Sequence, residues 1–296
     1  MATLNLSGLG VALVTPFRTD KSIDYEALAN LVDRLINKGC NYLVVLGTTA
    51  ETPTLTDEEK MLVKATVRKA NGGRVPMILG MGGNDTLRLA HQFENEDFTA
   101  FEAALSVVPF YNKPSQEGIY RHYATIAEVS PVPIVLYNVP GRTGVNMTAA
   151  TTLRLAKDFD NIIGVKEASG NLKQIEEIIH NKPEGFQVIS GDDGITFPLM
   201  TLGAVGVISV IGNAYPLEFG NMVRLCLKGE YGKARTIHDA FSKLFELLFI
   251  DGNPAGVKCA LNALDLIENE LRLPLVPIRM ETNDKIHSII NDLPQL

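Results

Sequence analysis

Lys166 closes the run Asn161-Ile162-Ile163-Gly164-Val165-Lys166, and a cation at the end of so apolar a stretch is the first candidate for chemistry in this chain. Burial disfavours an ammonium ion, so a lysine in such surroundings gives up its proton nearer neutral pH. The neutral amine is a nucleophile, and on a ketone it forms a Schiff base. That reaction moves several protons, and a hydroxyl chain of the Tyr–Thr–Tyr kind is able to carry them. The residue types are present: Thr48 and Thr49 in Gly47-Thr48-Thr49-Ala50-Glu51, Tyr111 in Pro109-Phe110-Tyr111-Asn112-Lys113-Pro114, and Tyr137 in Tyr137-Asn138-Val139-Pro140-Gly141-Arg142-Thr143. A keto acid also brings a carboxylate. Backbone N–H groups and hydroxyls around Thr48 and Thr49 offer it a seat without a fixed cation beside Lys166, and Arg142 offers a second carboxylate a bidentate grip. Each of these residues alone has an ordinary structural explanation. Lys166 snorkels to water, Gly47-Thr48-Thr49 is a turn, the tyrosines belong to a core, and Asp192 is an N-cap. What favours chemistry is their convergence, and convergence depends on the fold.

Eight short apolar runs recur along the chain: Val11–Val14, Tyr42–Leu46, Pro76–Leu79, Ala103–Val108, Ile134–Tyr137, Ile162–Lys166, Phe186–Ile189 and Val205–Val210. Amphipathic segments separate them. One carries Leu28, Leu31, Val32, Leu35 and Ile36, the spacing of one buried helix face, and stops at Gly39, a natural C′ residue. Another opens on the capping box Thr56-Asp57-Glu58-Glu59. Runs too apolar to be half exposed, alternating with helices, imply a parallel sheet covered on both sides. Eight such units most simply close into an α/β (β/α)₈ TIM barrel over residues 1–229. A doubly wound open sheet is the runner-up, although Gly80-Met81-Gly82-Gly83-Asn84-Asp85 has Asp85 where a dinucleotide fingerprint needs glycine. Residues 230–296 read as a C-terminal helical extension. Ala234, Ile237, Phe241, Leu244, Phe245 and Leu248 mark one long helix, and Asn253-Pro254 reads as N-cap and N1 of a second. In a barrel of this kind catalytic residues sit at the C-terminal ends of strands and in the loops that follow, which is where Thr48, Thr49, Tyr111, Tyr137, Arg142, Lys166, Asp192 and Asp193 fall.

Composition excludes several other classes. At 296 residues and 46 % hydrophobic content the chain is able to bury a large core, and the net charge of −7 with no basic cluster argues against nucleic acid or an anionic membrane as partner. No apolar run reaches the ~20 residues of a membrane span. The 3 cysteines, Cys40, Cys226 and Cys259, are odd in number and far apart, as suits a reducing compartment. The 5 histidines are scattered without metal-ligand spacing, so no metal and no cofactor is expected. Met1-Ala2-Thr3-Leu4-Asn5 lacks the basic start and apolar stretch of a secretory leader, and a cytoplasmic protein is expected.

Taken together, Gly47-Thr48-Thr49-Ala50-Glu51, Pro109-Phe110-Tyr111-Asn112-Lys113-Pro114-Ser115-Gln116-Glu117-Gly118, Tyr137-Asn138-Val139-Pro140-Gly141-Arg142-Thr143-Gly144 and Gly164-Val165-Lys166-Glu167-Ala168-Ser169-Gly170 closely resemble the dihydrodipicolinate synthase family. Ser190-Gly191-Asp192-Asp193 and Gly206-Val207-Ile208-Ser209-Val210 fit the same pattern, so the resemblance spans essentially the whole chain. It implies that Lys166 forms the Schiff base with pyruvate and that Tyr137 donates and accepts protons. Thr48 and Tyr111 would be its relay partners, Tyr111 reaching in from a neighbouring subunit. Thr49 and Ile208 would contact pyruvate, and Arg142 would hold the carboxylate of L-aspartate 4-semialdehyde. It further implies entry to diaminopimelate and lysine synthesis, and a homotetramer built as a dimer of dimers.

Some residues depart from the family pattern. Ala50 replaces a glycine, which implies a strained or shifted loop if that position needs φ > 0. Val108 replaces a threonine, and the segment from Glu94 to Glu102 is unusually acidic. At the site where related enzymes bind lysine, Asn84 matches, but Asp57 and Lys60 stand in place of histidines, Arg88 in place of an acid and Phe110 in place of a tyrosine. Weak or absent inhibition by lysine is expected. The nearest rival is another Schiff-base pyruvate aldolase, such as acylneuraminate lyase or a 2-keto-3-deoxy sugar acid aldolase. Arg142 argues against it, because a sugar needs hydroxyl partners there rather than a cation. A barrel that binds small acids without turnover is the rival from another class, and the presence of Lys166, Tyr137, Thr48 and Tyr111 together argues against that.

Overall fold

The computed structural model describes residues 4–293. Met1–Thr3, part of the segment read for a leader, and the last three residues of the helical extension lie outside the described residues. Eight strands form: β1 Gly8–Ala12, β2 Tyr42–Val45, β3 Met77–Gly80, β4 Ala103–Val107, β5 Ile134–Asn138, β6 Ile162–Glu167, β7 Gln187–Ser190 and β8 Gly206–Ser209. They hydrogen-bond in chain order into a closed barrel, so the closed alternative holds over the open sheet. The pairing is parallel. Parallel strands are covered on both faces, which is why nearly every strand residue is buried and why continuous apolar runs, not alternating ones, mark them.

Every strand overlaps the run read for it, most with ends moved by one residue, and two of the differences have a local reason. β1 starts at Gly8 rather than Val11. A Cβ on Gly10 would lie 2.1 Å from Cε2 of the Tyr42 ring, so only glycine fits against that ring, and glycine is a weak strand signal. β6 runs one residue beyond Lys166, because Glu167 pairs in register with Ser190 of β7 and with Asn138 of β5.

The helices follow their sequence signals. Asp24 caps Tyr25–Asn37 by accepting from the N–H of Ala27, and that helix ends at Lys38 with Gly39 at φ +85°. Thr56 and Glu59 form the reciprocal capping box of Asp57–Asn71. In the extension, Tyr231–Ile250 buries Ala234, Ile237, Phe241, Leu244, Phe245 and Leu248, the stripe read from spacing. The expected Asn253 cap does not form. Pro254 stands at the cap position of Ala255–Ala263, and the Asn253 side chain turns instead to Thr49. Met280–Asp292 is the last helix described. Among the described residues no helix is long and apolar enough to cross a membrane.

By packing, the chain divides into two compact units. One holds residues through Ser7 together with Pro76–Ile208, and the other holds Gly8–Val75 together with Ser209 onward. The acidic segment belongs to the first and is partly explained there. Phe98 and Phe101 are buried within it, Asp97 accepts from the N–H of Thr99, and Glu102 accepts from the N–H of Met77.

Candidate active site

In the first unit the chemistry gathers at the ends of β5 and β6. Tyr137 and Lys166 are register partners on these adjacent strands, so pleat geometry puts their side chains on the same face. Nζ of Lys166 lies 4.2 Å from the centroid of the Tyr137 ring. Both residues are buried, at 5 % and 7 % exposure. Desolvation is the main reason that the Lys166 amine is pushed down to about 7. The buried Asp193 carboxylate opposes that shift and the Arg142 cation adds to it. Gly191 makes room for the amine's stem, since a Cβ there would stand 3.0 Å from both Cε and Cγ of Lys166 and 2.8 Å from Cβ of Ala168.

The residues that follow on each strand face the other way. Asn138 and Glu167 are also register partners, and the Asn138 amide donates to Oε1 of Glu167 at 2.5 Å. Ser169 Oγ donates to Oε2 of the same carboxylate at 2.5 Å. The Asn138 amide also donates to Oδ1 of Asn146, and its own Oδ1 accepts from the N–H of Met147. Burial pushes the Glu167 carboxyl up, and these donors hold it back. This network lies behind the barrel wall and fixes β5 against β6 at the level of Tyr137 and Lys166.

Arg142 ends the short helix Pro140–Thr143 and is exposed. Tyr111 is bound to that helix by its backbone, its N–H donating to the carbonyl of Thr143 at 3.2 Å, yet its side chain is 86 % exposed and its φ is 72°. Within its own chain, therefore, the Tyr111 ring is not packed into the site. Ile208 is buried on β8.

In the second unit the loop after β2 forms the 3₁₀ turn Thr48–Ala50. Thr48 is exposed and Thr49 buried. Oγ1 of Thr49 accepts from the Asn253 amide at 3.0 Å, Thr15 Oγ1 donates to the Ala50 carbonyl at 2.8 Å, and Thr52 Oγ1 donates to the Gly47 carbonyl at 2.9 Å. The left-handed residues of this loop are Leu46 and Glu51, each at φ 56°, and Ala50 is not one of them. Alanine is accommodated without the strain that its replacement of glycine suggested. Asp192 does cap, accepting from the N–H of Gly194 at 2.9 Å, while Asp193 beside it supplies the carboxylate that acts on Lys166. Sequence reading set Asp193 at the rim without a role and passed over Glu167, Asn138 and Asn253 as site residues. For Glu167 the overlooked signal was an acid set directly behind a lysine in a run otherwise apolar.

The family model described as the dihydrodipicolinate synthetase family matches residues 5–293. The chain belongs to that family. It is 63 % identical to the 4-hydroxy-tetrahydrodipicolinate synthase of Parabacteroides distasonis over 293 residues, 99 % of each chain. Among solved structures it is similar to the dihydrodipicolinate synthase of Aquifex aeolicus, with a TM-score of 0.93 and 41 % identity over 98 % of this chain and 99 % of that one. It is also similar to the chloride-inhibited dihydrodipicolinate synthase of Acinetobacter baumannii complexed with pyruvate, with a TM-score of 0.94 and 37 % identity over 98 % and 99 % of the two chains. Membership of the dihydrodipicolinate synthetase family makes the chain an enzyme, a lyase of diaminopimelate and lysine biosynthesis acting on small-molecule substrates.

Proposed function

We propose that Lys166 carries the condensation of pyruvate with L-aspartate 4-semialdehyde to 4-hydroxy-tetrahydrodipicolinate. The neutral Nζ attacks the ketone carbon of pyruvate to give a carbinolamine, and loss of water leaves an iminium. Removal of a methyl proton gives the enamine, whose carbon bonds to the aldehyde carbon of the second substrate. The amine of that substrate then displaces Nζ, closing the ring and freeing Lys166. The observation that carries this reading is the buried amine, pushed down to about 7 and in register with a tyrosine on the next strand. A mostly ammonium lysine would not attack carbon at neutral pH.

Tyr137 is the proton donor and acceptor, Thr48 and Tyr111 its relay. Thr49 and Ile208 contact pyruvate, and Arg142 binds the carboxylate of the semialdehyde. The exposed, left-handed Tyr111 is what supports its working in the site of a second copy, and with it a homotetramer made as a dimer of dimers. The division into a catalytic barrel over 1–229 and a helical extension over 230–296, and a cytoplasmic location, belong to the same reading. Feedback by lysine is weak or absent. Lys60 forms an ion pair with Asp57 at 3.0 Å, so the carboxylate that an ammonium ligand would need there already has a cation.

Incubation with pyruvate followed by borohydride reduction tests the reading. Mass spectrometry should find the reduced pyruvyl adduct on Lys166 and none on Lys166→Arg. Turnover of both substrates with position 166 unmodified overturns it. In a coupled assay, a sugar acid cleaved faster than the semialdehyde condenses would assign the chain to the sugar-acid aldolases instead. In a titration, strong inhibition at sub-millimolar lysine would refute the expected insensitivity.

A further inference from the structure

Glu51 stands directly after the turn Thr48–Ala50, in a left-handed conformation that a non-glycine residue keeps only where its surroundings impose it. Those surroundings come from the C-terminal part of the same unit. Nζ of Lys258, on the helix Ala255–Ala263, lies 2.5 Å from Oε1 of Glu51, with both side chains wholly excluded from solvent. Oε2 of Glu51 accepts from the backbone N–H of Arg272 at 3.1 Å. Lys258 also donates to the carbonyl of Glu270 at 2.8 Å and sits 4.1 Å from the centroid of the Phe17 ring. Arg272 is held in turn by two bonds to Glu59, at 2.7 and 2.6 Å, and by the carbonyl of Thr54 at 3.0 Å. Adding the bond from Asn253 to Thr49, three points of the C-terminal part grip one short loop.

We propose that Glu51 and Lys258 are positioning residues for the keto acid, a buried ion pair through which the helical extension locks the Thr48–Thr49 turn into the shape that receives the substrate carboxylate. The proposal rests on the reading of Thr48 and Thr49 given above. Its physics has two parts. A buried carboxylate so close to an anion seat would repel the substrate, and the contacting ammonium neutralises it. Two carboxylate oxygens fixed by different elements also leave the loop one conformation, and a small displacement at a binding loop has large kinetic effects. Burial pushes the Lys258 amine down to about 8 while the Glu51 carboxylate acts against that, so the amine keeps its proton at neutral pH. Lys258 is thereby held from the reactivity assigned to Lys166.

The test compares full-length Glu51→Gln and Lys258→Met with the wild type by steady-state kinetics, borohydride trapping and thermal unfolding. The KM for pyruvate is expected to rise by about tenfold or more, with the KM for the semialdehyde within about twofold and kcat within about threefold. At saturating pyruvate the Lys166 adduct still forms. A role in stability alone would lower the unfolding temperature and leave KM where it was. Folded variants with the wild-type KM for pyruvate therefore overturn the proposal. If neither buried variant folds, Glu59→Gln decides, because it loosens the grip of Arg272 from a partly exposed position. A KM for pyruvate raised by about twofold or more supports the proposal, and an unchanged one overturns it. Failure of the wild type itself to form the adduct is a separate result, which sinks the Schiff-base reading instead.

Discussion

Lys166 on β6 and Lys258 on the helix Ala255–Ala263 are both buried, at 5 % and 0 % exposure, and burial is the chief influence on both amines. Their neighbours separate them. Lys258 touches a carboxylate at 2.5 Å and a backbone carbonyl at 2.8 Å. Lys166 faces the ring of Tyr137 at 4.2 Å, and the Asp193 carboxylate that draws it acts against the nearby Arg142 cation. Burial alone therefore does not make a lysine a nucleophile. Each amine lies over an aromatic ring, so the ring is not the difference: a contacting carboxylate turns one side chain into an internal brace, and a carboxylate offset by a cation leaves the other amine ready to lose its proton.

The sharpest way to break this contrast is Lys166→Met. Condensation should fall by about 10⁴-fold or more in a coupled assay. Tyr137→Phe removes the hydroxyl but keeps the ring, and should lower kcat by about 10²- to 10³-fold. The two lysines should then differ in sign when stability is measured by urea unfolding at pH 7.5. Lys258→Met strands Glu51 in the interior and should destabilise by about 3–5 kcal/mol. Lys166→Met should stabilise, by on the order of 3 kcal/mol. The sign follows from linkage. The native amine titrates near 7, whereas an unfolded lysine titrates near 10.5, so between these values the unfolded chain binds more protons. Stability contributed through this group is at its lowest below about 7 and rises with pH up to about 10.5. A Lys166→Met variant less stable than the wild type would mean that its ammonium is well solvated or paired. The rate of adduct formation should fall about tenfold per pH unit below 7 and level off above it. The smallest effects come from the flanking charges. Asp193→Asn should move the acid limb of that profile to lower pH and Arg142→Gln to higher pH, each by about half a unit. Shifts in the opposite directions would mean that the two charges act on some other group.

Much of this was legible in the sequence because parallel strands and helix faces announce themselves by apolar spacing. All eight strands fall on the runs read for them, apart from the offset of β1, where Gly8 and Gly10 suppress the signal that the Tyr42 ring makes necessary. Lys166 and Tyr137 were legible because a polar residue at the end of an apolar run is conspicuous. Asp193 was hidden beside a second aspartate with an obvious capping use. The Glu51–Lys258 pair and the bond from Asn253 to Thr49 join residues from opposite ends of the chain, and local pattern holds no record of such pairings. Asn253 even carried a misleading one, since Asn-Pro is a good helix start.

The alternation along β5 and β6 has a consequence for how this molecule changes over time. Tyr137 and Lys166 look inward, while Asn138 and Glu167, one step on, fasten the same two strands from outside. Mutation is therefore free to explore exposed positions beyond the strand ends without loosening the packing of that inner pair. Drift in the outer pair would be felt at once on the inner face. A laboratory seeking a new acceptor for this barrel should randomise the rim and leave the outer fastening untouched.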